Sequence, residues 1–169
     1  MKANKILVSL LTLVLTVALM FSLFSVSVFA EDATLGDLKF EVPDDYKISE
    51  TNDTTVVLKD GDKTIIISTE IIGDDAIDAF LAAKGYKLNE TLSGNSTHTG
   101  TGLNGQYSYD ESTFIKDKGF SVAYLLIKDN KPISVIGIDD DFDDDFDTGD
   151  YSKIENAVRD VASQIMLRK

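Results

Sequence analysis

The amino-acid sequence predicts an α+β fold, an antiparallel β-sheet with a short helix and a long C-terminal helix packed on it. Three observations predict it. Runs of β-branched and aromatic residues are separated by Lys-Asp turn signals starting at residues 59, 116 and 128, so neighbouring strands join through tight hairpins and run antiparallel. Two segments change to helical periodicity. The resulting order is strand, hairpin, helix, hairpins and closing helix.

Residues 1–30, MKANKILVSLLTLVLTVALMFSLFSVSVFA, hold Lys2 and Lys5, no acid, and an apolar run from Ile6 to Ala30 broken only by Ser and Thr. That is an export signal. The small residues Val28 and Ala30 fit a signal peptide cut before Glu31, yet the run also matches a bilayer-spanning helix of about 20 residues. An uncleaved N-terminal membrane anchor is the alternative. With Lys2 and Lys5 on one side and Glu31 and Asp32 on the other, the amino terminus faces the cytoplasm and the rest lies outside. Residues 31–169 then form a single extracytoplasmic domain, extracellular or at the cell surface, touching membrane only through residues 6–30 if these stay attached.

The stretch LGDLKFEVPDDYKIS alternates at Leu38, Phe40 and Val42 and stops at Pro43, a short strand ending in a turn. TTVVLKDGDKTIIISTEII follows, two β-branched runs around Gly61 that read as a hairpin. In GDDAIDAFLAAKGYK, Ile77, Phe80, Leu81 and Lys84 share one side and Gly85 is a stop signal, so a short helix lies on the sheet. NETLSGNSTHTGTGLNG is polar and glycine-rich, a long loop with room for one strand. FIKDKGFSVAYLLI and LLIKDNKPISVIGI are the remaining hairpins. From about Asp150 to Leu167, Tyr151, Ile154, Val158, Val161 and Ile165 step by three and four, opposed by Lys153, Arg159, Asp160 and Gln164. Ser152 and Glu155 fit a capping box.

Composition excludes several functions. Residues 31–169 hold all 29 acids and 14 of the 16 bases, a formal charge of −15, which repels nucleic acid and anionic lipid. There is no cysteine, hence no disulfide, thiol chemistry or lipoprotein attachment. Packing must supply the stability, and 139 residues suit one core.

FEVPDDYKIS, with its opening phenylalanine, proline and aromatic, the early helix after two strands, and the PISVIGI strand followed by an acidic loop and a long helix resemble the PsbP-like fold family over about residues 38–167. The family includes the photosystem extrinsic protein and envelope proteins of bacteria and archaea. The resemblance implies a noncatalytic binding or assembly role and carries over no catalytic motif.

Four features are weighed as sites. GTGLNG, Gly100 to Gly105, has the spacing of a dinucleotide loop, but the alternating QYSYDES follows it where a helix is required. His98 is the only histidine; without a second histidine or a cysteine, zinc lacks its usual ligands, and no cofactor is expected. Sequons begin at Asn52, Asn89 and Asn95, N-glycosylation candidates if the host glycosylates exported proteins. The fourth is DDDFDDDFDTGD, Asp139 to Asp150, with eight carboxylates and two phenylalanines. In an extended chain, Asp139, Asp141, Asp143, Asp145 and Asp147 line one side and form the candidate calcium cluster. In either geometry the carboxylates point outward and Phe142 and Phe146 inward. An EF-hand needs glycine at its sixth position, and frames starting at Asp141 or Asp143 place Phe146 or Thr148 there. The competing reading is a solvated loop favoured by the dipole of the next helix.

The sequence therefore predicts an exported, noncatalytic binding or accessory protein of the cell envelope, with an envelope protein or a glycan as partner. The alternative is a calcium-dependent adhesion or glycan-binding domain using residues 139–150.

Overall fold

The computed structural model describes residues 31–89, 94–99, 106–142 and 151–168. Among the described residues the strands are β1 Asp32–Leu35, β2 Leu38–Glu41, β3 Lys47–Thr51, β4 Thr55–Asp60, β5 Lys63–Ser68, β6 Lys87–Leu88, β7 Gly94–Thr99, β8 Gln106–Lys116, β9 Gly119–Lys128 and β10 Lys131–Asp139. The short helix α1 is Asp74–Ala82 and the long helix α2 is Tyr151–Leu167. The α+β class and the antiparallel sheet with its two helices are as the sequence predicts.

The main sheet runs β3-β4-β5-β10-β9-β8-β6, with β7 pairing the opposite end of β8 from β6. Each described pairing is antiparallel. The three hairpins stand where the Lys-Asp signals are. In the β9–β10 turn, Asp129 and Asn130 both have positive φ, 52° and 60°, as a type I′ turn requires and as Asp and Asn tolerate.

Alternation along the strands sorts the core into two layers. Val56, Leu58, Ile65, Ile67, Val122, Tyr124, Leu126, Ile133 and Val135 face α2, meeting Ile154, Val158, Val161, Ala162 and Ile165. Ile66, Ala123, Ile136 and Ile138 face the other way, against Ile77 and Leu81 of α1. One strand with a period of two thus buries isoleucines on both sides. The stop signal at Gly85 is a Schellman closure: with φ 86° at Gly85, Tyr86 N donates to Leu81 O at 3.1 Å and Gly85 N to Ala82 O at 2.9 Å.

Several expectations need correction. β1 and β2 form a separate two-stranded sheet, whose Ala33, Leu35 and Phe40 join the α2 side of the core. Lys84 lies beyond the helix end, exposed, with its ammonium 5.2 Å from the centroid of the Phe80 ring. Gln164 is not on a wet face: its Oε1 accepts from Glu41 N at 3.0 Å and ties β2 to α2. Arg168 reinforces that seam by pairing with Asp32 and Glu41. Helix α2 begins at Tyr151, one residue ahead of the expected cap, and Glu155 pairs with Arg159 one turn on. The side chains of Tyr151 and Ser152 lie outside what is described, as do residues 1–30 and 100–105. Among the described residues, no helix is long and apolar enough to cross a membrane.

Candidate functional site

The acidic stretch starts at the β10 terminus, and its first residue does not point outward. Asp139 is 2% exposed, sits opposite Lys63 in the β5–β10 register, and pairs with that ammonium at 3.5 Å. A carboxylate so deep needs such a partner. Its backbone oxygen accepts from the Tyr86 hydroxyl at 3.1 Å, and the same hydroxyl donates to Asp140 Oδ1 at 2.9 Å. Lys116 also donates to Asp140 and lies 4.4 Å from the centroid of the Tyr86 ring. Burial opposes ionisation of Asp140, but the hydrogen bonds from Lys116 and Tyr86 outweigh it and hold the carboxyl below its usual range. Gly119 makes room for this group, since a Cβ there would fall 2.6 Å from the Tyr86 oxygen. Phe142 is buried against Phe120, 5.6 Å between centroids, as its inward expectation requires. Asp141 is exposed, and Asp143, Asp145, Asp147 and Phe146 lie outside the described residues. Among the described residues, no group of three or more His, Cys, Asp or Glu is placed to hold a metal ion.

The sequons differ in setting. Asn52 is exposed between β3 and β4, but its Oδ1 accepts from Thr54 N at 2.9 Å, Thr54 Oγ1 at 3.1 Å and Thr55 N at 2.8 Å, which fixes that turn. Asn89 is partly buried, and its N donates to Thr113 O at 2.6 Å. Asn95 and His98 are in strand β7, opposite Asp110 and Tyr107, rather than in a loop. Their side chains are outside the description.

Two further places emerge only in three dimensions. Under α2, Glu111 and Tyr124 are cross-strand neighbours, beside Tyr109, Glu155 and Arg159. Tyr124 stacks on Tyr109 at 4.2 Å between ring centroids and is fully buried. Burial raises the Glu111 carboxyl, and the Glu155 charge raises it further against the opposing pull of Arg159. The same burial pushes the Tyr124 phenol well above its ordinary value.

The second place is a cavity of about 440 Å³ at the opposite end of the sheet from Asp139. Leu35, Leu38, Pro132 and Ile133 supply its apolar lining; Asp37, Asp53, Thr69, Lys128, Asp129 and Lys131 supply its polar lining. The β1–β2, β3–β4 and β9–β10 turns and the residue after β5 wall it. The walls are built firmly. Asn52 pins one turn, the type I′ conformation sets another, and Thr69 N donates to Thr54 O at 2.9 Å. Lys128 turns its ammonium onto the C-terminus of α2, donating to Ile165 O and, at 3.0 Å, to Arg168 O.

No protein-family model matches the chain, and no curated protein matches its sequence.

Proposed function

We propose that the chain is an exported, noncatalytic binding or accessory protein of the cell envelope that takes its ligand in the cavity at the turn end of the sheet. One observation carries this reading. A hollow of about 440 Å³, apolar within and polar at its edge, has the size and lining of small-molecule sites, about 300–1,000 Å³. Its walls are hydrogen-bonded turns, so a ligand meets a preformed surface and little ordering cost. The apolar signal of residues 6–30 supports the location, and the resemblance to PsbP-like proteins implies the same role. Calcium-dependent binding through residues 139–150 gains no support from Asp139 and Asp140, whose carboxylates already have lysine partners.

The test is a panel of glycans, peptides and small amphiphiles, with ester, glycoside and peptide substrates included, run on the full chain and on Thr69→Trp. Thr69 is exposed and lines the cavity, so the indole fills it without entering the core. Expected are saturable binding lost in Thr69→Trp and no turnover. Turnover unaffected by that substitution contradicts the proposal.

A further inference from the structure

We infer that Asn52 is the residue at which the exported chain carries an N-linked glycan, an inference that rests on the exported role proposed above. Three sequons are present, beginning at Asn52, Asn89 and Asn95, and the fold treats them differently. Asn52 and Asp53 are exposed in the turn between β3 and β4. That turn brings together the two groups that define a sequon, because Thr54 Oγ1 donates to Asn52 Oδ1 at 3.1 Å. Thr54 N and Thr55 N donate to the same oxygen at 2.9 and 2.8 Å. The amide is thereby fixed in orientation, with no acceptor among the described residues for Nδ2, the atom that joins the sugar. Asn95 and Thr97 instead occupy alternate positions of β7, paired with Asp110 and Ser108 of β8. In a strand such positions stand about 7 Å apart, and the backbone is held extended rather than turned. Asn89 is partly buried, and its N is bonded to Thr113 O. A transferase must seat amide and hydroxyl at once, and only the β3–β4 turn is described as holding both preformed at the surface. The sugar donor is a glycan on a lipid phosphate. Nδ2 bonds to the anomeric carbon, the carbon–oxygen bond to the phosphate breaks with its electron pair on the leaving phosphate, and the amide gives one proton to the transferase. Asp53 lines the turn-end cavity, so the glycan stands at its rim.

The experiment is peptide-resolved mass spectrometry of the chain recovered from the cells that make it, with cytoplasmic, envelope and medium fractions analysed separately. Trypsin releases residues 48–59, which contain the Asn52 sequon alone, and residues 88–116, which contain the other two. Expected is a glycan mass increment on residues 48–59 of the exported chain and none on residues 88–116. Thr54→Val removes the hydroxyl while both backbone donors to Asn52 Oδ1 remain, and is expected to abolish the increment; Thr54→Ser keeps the sequon and is expected to retain it. Should the valine variant fail to fold, the map of the unsubstituted chain decides alone. An exported chain that is bare at Asn52 overturns the inference and leaves the export reading standing. Sugar on residues 88–116 overturns the selection of Asn52 by its turn. A chain confined to the cytoplasm overturns the export reading, and this inference with it.

Discussion

Glu111 sits where its charge is least welcome, partly buried beside Glu155 and opposite the buried Tyr124. Its folded-state proton affinity is raised, so its contribution to stability is full below the ordinary carboxylate range and is lost as pH rises through its own raised value. Glu111→Gln is therefore expected to raise Tm at pH 7 and to leave Tm unchanged near pH 3. A lower Tm at pH 7 contradicts this. Asp140 has the opposite sign, because Lys116 and Tyr86 favour its anion; its contribution is present at neutral pH and disappears as acid protonates it. At Asn52 three hydrogen bonds converge on one oxygen, and Asn52→Ala is expected to cost about 1–2 kcal/mol in chemical denaturation, whether or not the position is glycosylated. Little of this was legible beforehand. Glu111 is one of 29 acids, and only the packing of α2 on β8 makes it different. Asp139 looked like the first ligand of a cluster because its partner, Lys63, is 76 positions away and becomes adjacent only through sheet register.

At the scale of elements, the contact that sets the fold is α2 against β10. Gly137 lets the helix come close, since a Cβ there would lie 2.4 Å from Val158 Cγ2 and 2.8 Å from Ile154 Cγ1, both deep in the core. Gly137→Ala is expected to destabilise by about 1–3 kcal/mol through overpacking, read as a lower denaturation midpoint with an unchanged m-value. An unaltered midpoint would mean that α2 shifts freely on the sheet. The helix end depends on Lys128, so Lys128→Met keeps the stem and removes the cap, at a cost of about 1 kcal/mol. Elements were the most legible level. Hairpins announced by Lys-Asp turns and a helix announced by its apolar stripe depend on residues near each other in the chain. β7 is the one strand for which the long polar stretch had room, but GNSTHT has neither apolar alternation nor bulk to fix its bounds; it is a strand because β8 beside it is one. β1 and β2 are four residues each, held against α2 by Arg168 and by Gln164, the latter placed on the wet side by local periodicity.

For the whole molecule, the two ends of the sheet divide the labour. At one end, Asp139 and Asp140 lock onto Lys63, Lys116 and Tyr86, so the visible start of the acidic stretch closes the core. At the other end, connections distant in sequence meet around a cavity. No window of the sequence contains that site, because its lining runs from Leu35 to Ile133 and no contributing segment is a motif. On function the sequence offers only an expectation of location, from residues 6–30 read as an export signal, and exclusions expected from the absence of a thiol and from a charge that repels nucleic acid. The most direct measurement is an amide-resolved NMR map of the full chain with the tightest ligand of the panel. The account predicts saturable shifts at Leu38, Asp53, Thr69 and Ile133 and none at Asp139–Phe142. Shifts confined to the Asp139 end, and dependent on calcium, would contradict it.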